Sequence, residues 1–345
     1  MITSQLFVIL ISAFSAFLIT FLLSPIFINF LIKYKFSKNL RENDSTGQVA
    51  KIFNSLHNKK KGTPTMGGVL IWGVILFVVI FSRGLSYFGY IESSLLDRGE
   101  VYLPLFTLIF MGFLGAIDDY LNIIQSKHKG LHHNPKMFFT LFFALIGALW
   151  FYFKLGYTGI YIPFIGDVDI GFFYIPLFII LITGTAHSVN ITDGLDGLAS
   201  GLLISAFFAF GILAYFKGLY SLSIFCAVIV GTLAAFLWFN IPPAKFYMGD
   251  TGSLALGATL GVIGMMIDSV FALPIIGGVF VFEIISVIIQ LTSKKFRNGK
   301  KVFKIAPFHH HLEACGWTES QIVMRFWIIG AFLSFIGILV GLMNV

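Results

Sequence analysis

Residues 102–119 read Tyr-Leu-Pro-Leu-Phe-Thr-Leu-Ile-Phe-Met-Gly-Phe-Leu-Gly-Ala-Ile-Asp-Asp: sixteen uncharged residues closed by two adjacent carboxylates. A run of this kind approaches the roughly 20 apolar residues that a helix needs to cross about 30 Å of hydrocarbon. A carboxylate at the bilayer centre costs roughly 2.5–3.5 kcal/mol, so Asp118 and Asp119 belong at the end of such a span, not within it. The segment therefore predicts a membrane helix that delivers a pair of acids to one membrane surface.

The pattern recurs along the chain. Apolar runs at about 6–31, 66–82, 102–119, 137–153, 173–189, 197–216, 220–239, 252–267, 271–291 and 326–343 predict about ten spans, an all-α integral membrane protein. Of 345 residues, 57% are hydrophobic and only 11% charged, and the loops are short, so residues 1–345 are read as a single polytopic membrane domain. Met1 to Gln5 carry no charge, and the first basic residues, Lys33, Lys35, Lys38 and Arg41, follow the first span. That order is the reverse of a cleavable leader and places the N-terminus outside. Lys51 and Lys59–Lys61, then Lys127, Lys129 and Lys136, then the basic loop Lys294–Lys304 fall on the inner side; Asp167 and Asp169 fall outside, and an even number of spans returns the C-terminus outside.

The net charge of +7 is largely this topology signal, with a secondary attraction for anionic head groups or phosphorylated substrates; nothing supports a nucleic-acid partner. Two cysteines, Cys226 and Cys315, exclude a disulfide framework and a thiolate metal site.

Four polar clusters collect at the inner span ends. In the first, Asp118 and Asp119 diverge by about 100° on a helix, so one faces a shared ligand while the other supports it or meets a second partner. The second is Asn190-Ile-Thr-Asp193-Gly194-Leu195-Asp196-Gly197, whose three polar residues are spaced by three and would stack on one helical face. Its alternative is a polar turn with an Asp N-cap. The third runs from Asn240 through two prolines to Tyr247-Met-Gly-Asp250-Thr-Gly-Ser253, a helix cap with backbone donors aimed outward as for an anion; capping could account for Asp250, and its alignment with two other acidic span ends on the same face raises it above that. The fourth is Pro307-Phe-His309-His310-His311-Leu-Glu313. Three adjacent histidines cannot converge on one tetrahedral ion, so phosphate contact is the better reading. Carboxylates gathered this way favour a hard, oxygen-bound cation, Mg2+ where phosphate is handled. A glycine-rich stretch, Lys60-Lys-Gly-Thr63-Pro-Thr65-Met-Gly67-Gly68, adds phosphate donors.

These motifs, in this order and over nearly the whole chain, resemble the polyprenyl-phosphate N-acetylhexosamine-1-phosphate transferase superfamily, and the histidine triplet favours its muramoyl-pentapeptide branch over the branch that transfers GlcNAc-phosphate. The resemblance implies a multi-pass enzyme of the bacterial inner membrane, with the lipid bilayer and a second copy in a homodimer as partners. It implies transfer of phospho-MurNAc-pentapeptide from UDP-MurNAc-pentapeptide to undecaprenyl phosphate, giving lipid I and UMP. By the same resemblance Asp250, with Asp118, would hold Mg2+; Asp118 would bind or deprotonate the lipid phosphate; Asp119 and His309 would join the catalytic set. Asn190, Asp193, Gly194, Leu195 and Asp196 would line the nucleoside pocket, with Tyr247 stacking on uracil where the family often has phenylalanine. Lys60, Thr65, Asn240, His309, His310 and His311 would complete the site around phosphates and sugar.

A transporter is the reading from another class, motivated by ten spans and by Glu283 deep in the ninth. The other polar clusters sit on one face, which argues against a conduit. For Glu283 itself, a hydrogen bond to a neighbouring helix and a catalytic role both stay open.

Overall fold

The computed structural model describes residues 2–37, 62–91, 94–124 and 133–344. Helices α1 (Ile2–Lys33), α2 (Gly68–Tyr87), α3 (Tyr102–Ile124), α4 (His133–Leu149), α5 (Tyr174–Thr192), α6 (Leu198–Phe216), α7 (Tyr220–Asn240) and α8 (Gly249–Met266) follow the apolar runs. After them come a short α9 (Ala272–Ile276), α10 (Gly278–Phe296), a second short helix α11 (Phe308–Ala314) and α12 (Glu319–Gly341). Among the described residues, eight helices are long and apolar enough to cross a membrane; α8 and α10 are not among them.

The large apolar side chains that face outward, among them Phe7, Phe14, Phe77, Phe106, Phe138 and Phe332, are what a lipid-facing belt requires. Inside that belt α8 is the axis, packed by α2, α3 and α5, and all but the last of its residues are buried. Its small residues make this possible. A Cβ on Gly68 of α2 would stand 2.1 Å from the backbone N of Gly252, and one on Gly115 of α3 would stand 2.2 Å from the carbonyl O of Asp250. Backbones this close need glycine at the crossing, as in membrane helix pairs generally.

Three local expectations are corrected. The third span does not close at Asp119 but continues to Ile124, because Tyr120, Leu121, Ile123 and Ile124 extend the helix. The ninth span is two pieces, α9 and α10, joined at Gly277. Residues 159–169 form a two-stranded antiparallel hairpin, β1 (Gly159–Ile162) and β2 (Gly166–Asp169), anchored where the backbone N of Tyr161 donates to Asp268 at 3.1 Å. That hairpin, Asp268 and Asn344, whose amide donates to the Asp268 carbonyl, share one end of the bundle; the acidic clusters share the other.

Candidate active site

Three helices meet at the polar end because α8 begins there and is gripped on both sides. The segment before α2 pairs with the strand-like approach to α8: Gly67 and Gly68 donate from their backbone N to the carbonyls of Tyr247 and Met248 at 2.8 and 2.9 Å, and Tyr247 donates to Pro64 at 2.8 Å. The close crossing at Gly115 brings the end of α3 against the first turn of α8. Asp118 and Asp250, far apart in sequence, thereby share one cation, Lys136 of α4, whose Nζ lies 3.1 Å from Asp118 Oδ2 and in contact with Asp250 Oδ2. All three side chains are nearly buried, which strengthens their mutual attraction.

Asn190, in the last turn of α5, donates from Nδ2 to Asp250 Oδ1 at 3.0 Å and to Ser253 Oγ at 2.8 Å. Asp250 is thus not a capping residue. The N-cap position of α8 is Met248, and no side chain of its own caps it. Asp119 supplies the cap from α3, as its Oδ2 accepts from Thr251 N at 3.0 Å and Thr251 Oγ1 at 2.7 Å. The backbone donor expected to face a bound anion is therefore occupied by protein, and the two adjacent acids of α3 divide their work, one toward Lys136 and one toward α8. Thr65 is buried beside this turn, with Oγ1 2.7 Å from where a Gly249 side chain would begin.

The Asn190–Gly197 stretch is not a stacked helical face. Helix α5 ends at Thr192, Asp193 is its C-terminal cap residue, and α6 opens on Gly197 at φ +78°, with no Asp N-cap. Asp196 is held in the turn instead, its backbone N donating to Glu319 Oε1 at 2.7 Å and its Oδ2 accepting from Ala244 N at 2.9 Å. Leu195 is buried. The amide of Asn240 is committed internally: Oδ1 accepts from Gly197 N and Ser200 Oγ, and Nδ2 donates to the Phe246 carbonyl. Tyr247 lies between Asp196 and Thr63, and burial, then the Asp196 charge, pushes its phenol well above the ordinary tyrosine range.

The histidines come to the same end on α11. His309 is fully buried, its Nδ1 3.1 Å from Glu283 Oε2, and a Cβ on Gly194 would lie 2.4 Å from its Nε2. His310 pairs through Nδ1 with Glu313 Oε2 at 2.6 Å and its ring sits 4.1 Å from that of His309. His311 differs: it accepts from Lys304 N at 3.1 Å and packs against Phe303 and Phe308. Lys60 lies outside the described residues.

Four residues at this end were not singled out as site residues from sequence: Lys136, Ser253, Glu319 and Glu283, the last left open between two roles. Lys136 counted only as a topology charge, and no spacing signal links it to partners 18 and 114 positions away. Among the described residues, no group of three or more His, Cys, Asp and Glu side chains could form a closed metal cage. Mg2+ seldom uses one; it usually takes one or two carboxylates and completes its octahedron with water and substrate phosphate. Asp118 and Asp250 already converge on a single ammonium, so their donor set fits such an ion.

Residues 101–268 match the model of glycosyl transferase family 4, and residues 60–71 match the phospho-N-acetylmuramoyl-pentapeptide-transferase signature 1. The chain is 39% identical to the phospho-N-acetylmuramoyl-pentapeptide-transferase of Geobacillus sp. (strain WCH70) over 329 residues, covering 94% of both chains. It is 41% identical to the protein of that name from Halalkalibacterium halodurans and 42% identical to the one from Oceanobacillus iheyensis, in each case over 96% of this chain and 97% of the relative. At such identity over nearly its whole length, the chain belongs to the phospho-N-acetylmuramoyl-pentapeptide-transferase family.

Proposed function

We propose that this protein transfers phospho-MurNAc-pentapeptide from UDP-MurNAc-pentapeptide to undecaprenyl phosphate, releasing UMP and leaving lipid I in the membrane. The observation that carries the reading is the convergence of Asp118, Asp250 and Lys136 beside Asn190 at one end of a lipid-facing bundle. Such a place suits a phosphorylated lipid that must stay in the bilayer and a nucleotide that must arrive from water. The names of the relatives support the choice of donor and acceptor.

The reaction joins two anions. An oxygen of the lipid phosphate attacks the sugar-bearing phosphorus, the bond from that phosphorus to the bridging oxygen breaks, and the bridging oxygen leaves with UMP. Charge accumulates on the transferred phosphoryl group, so cations and hydrogen-bond donors fixed in advance lower the barrier most. Mg2+ held by Asp250 and Asp118 would neutralise diphosphate oxygens. Lys136, buried beside both carboxylates, supplies a second positive charge in the same place. Asn190 orients Asp250, and Asp119 fixes the turn that carries it. Asp193, Gly194, Leu195, Asp196 and Tyr247 would receive the nucleoside; Lys60, Thr65, Asn240, His309, His310 and His311 would complete the surroundings of sugar and phosphates. The lipid phosphate is already an anion able to attack, so we favour direct displacement over an aspartyl intermediate.

The basic ends Lys33, Lys136, Lys294 and Lys295 lie at the same end as the acids, which supports a cytoplasmic site with both termini on the outer face of the inner membrane. Release of UMP by the purified protein, with Mg2+ and undecaprenyl phosphate, tests the reading. Release from UDP-MurNAc-pentapeptide alone, lost in Asp250→Asn and on chelation, is the expected result. Release from UDP-GlcNAc would assign the sister activity, and release from neither donor by folded protein would return transport.

A further inference from the structure

We propose that Glu283 is a positioning residue that fixes His309 so that its Nε2 meets an oxygen of the transferred phosphoryl group. The inference rests on the transferase reading for the identity of that oxygen; the pairing itself does not.

Glu283 lies within α10 and is wholly buried, as is His309. A buried carboxylate is costly unless every lone pair is used. Here it accepts from Phe308 N at 2.9 Å, from His309 N at 3.1 Å and from the His309 ring at 3.1 Å. The first two bonds also satisfy the opening of α11, whose N-cap residue, Pro307, makes no side-chain cap. A carboxylate only accepts, so the hydrogen of the ring bond is on Nδ1, and the tautomer and plane of the imidazole are both set. One ring nitrogen remains, and among the described residues Nε2 is buried without a hydrogen-bond partner.

That atom faces Gly194 in the Asn190–Gly197 turn. Gly194 is close enough that any Cβ would collide with Nε2. Leaving a buried polar atom unpartnered has a cost that a ligand oxygen placed there would remove. An N–H on Nε2 would reach that oxygen with the negative charge of Glu283 already behind the ring. The arrangement follows the logic by which a carboxylate holds a histidine in catalytic triads and metal sites. His310 differs: its carboxylate partner, Glu313, comes from its own helix, three residues on. Glu283 ties His309 to a separate helix and so sets where α11 stands relative to α10.

The test is a double-mutant cycle on the purified full chain with Mg2+, undecaprenyl phosphate and UDP-MurNAc-pentapeptide, joining Glu283→Gln, His309→Gln and the double variant, with detergent melting curves for each. Glu283→Gln is expected to lower kcat roughly tenfold or more while KM stays within about threefold. In the His309→Gln background the same change is expected to cost nothing further, because Glu283 acts through a ring no longer present. An equal loss in both backgrounds would show a structural role and overturn the proposal. Should Glu283→Gln fail to fold, Glu283→Asp keeps the charge but withdraws it, and the same cycle decides. Side-chain 15N spectra of histidine-labelled protein separate this from the transferase reading. An Nδ1–H pattern at His309 that is lost in Glu283→Asp or Glu283→Gln supports the pairing even in a protein that releases no UMP, and its absence in the wild type would end the proposal whatever the enzyme does.

Discussion

Asp119 and Thr251, 132 positions apart, are joined by two hydrogen bonds to one carboxylate oxygen, so the α3 end serves as the N-terminal cap of the central helix. An external cap of this kind separates two adjacent acids that look equivalent in sequence. Asp119→Ala leaves two buried donors on Thr251, each worth about 1–3 kcal/mol when unpartnered. We expect a lower melting temperature and lost UMP release together. Asp118→Asn is expected to abolish turnover with little loss of melting temperature, since Asp118 faces Lys136 rather than the fold. Equal melting losses for the two variants would refute the division.

Lys136 is the counter-charge of the site. Replacing it by Gln leaves Asp118 and Asp250 facing each other with no shared cation, and breaking a buried pair typically costs about 3–5 kcal/mol. Mg2+ can replace the missing charge. Lys136→Gln is therefore expected to melt lower than wild type in chelator and to gain more on adding Mg2+ than wild type gains. A smaller Mg2+ gain in the variant would mean that Asp118 and Asp250 need Lys136 to keep them in place before they can hold the ion.

The bundle was legible because lipid imposes a crude rule: each crossing must be a long apolar run, and nine of the ten expected runs became single helices while one broke at Gly277. The acidic clusters were legible for the same reason, since each lies where a run ends. What sequence did not disclose is which polar group meets which. Asp118 and Asp119 differ by one position, yet one meets a lysine on α4 and the other a threonine on α8, a difference set by the rotation of α3 against glycines on its neighbours. Glu283 stays open in sequence between a helix-helix bond and a catalytic role, because its partner lies 26 positions away. The hairpin at 159–169 has strands of only four residues, too short for alternation to stand out from a loop.

Gly249 occupies φ +71°, and a Cβ there would lie 2.3 Å from Asp119 Oδ2 and 2.7 Å from Thr65 Oγ1. Backbone strain at a non-glycine residue in such a position is of order 1–3 kcal/mol before any clash is counted. Gly249→Ala is expected to unfold well below wild type in detergent, with residual activity lost in proportion to Asp119 displacement. Unchanged melting would show that the turn can relax.

At the opposite end, Asp97 is held below the usual carboxylate range, first by the Ser94 backbone N–H at 2.6 Å, then by the Ser94 hydroxyl and by Arg83. A folded-state pKa below the unfolded value means that its contribution is present above the ordinary Asp range and lost as pH falls through the depressed value. The melting gap between wild type and Asp97→Asn should be widest near neutrality and close in strong acid. A gap that widens in acid would reverse the sign and refute the assignment.

Tyr247 tests how the nucleoside is received. Its hydroxyl, kept neutral by burial and by the Asp196 charge, lies beside Asp196 and Thr63, and the proposed role of its ring is to stack on the base. If uracil is held by stacking, Tyr247→Phe keeps the ring and should hold KM for the UDP donor within about threefold, whereas Tyr247→Ala removes a stacking contribution of about 1–3 kcal/mol per base, an increase of roughly five- to 150-fold. The phenylalanine variant also deletes a hydroxyl next to Asp196, whose backbone N and Oδ2 remain fixed by Glu319 and Ala244, so the turn should stay in place. Steady-state kinetics of the two variants, with UMP as a competitive inhibitor, would show the ring contribution as a parallel rise in KM and in the inhibition constant. A large KM increase in Tyr247→Phe would instead make the hydroxyl, through Asp196, the nucleoside contact.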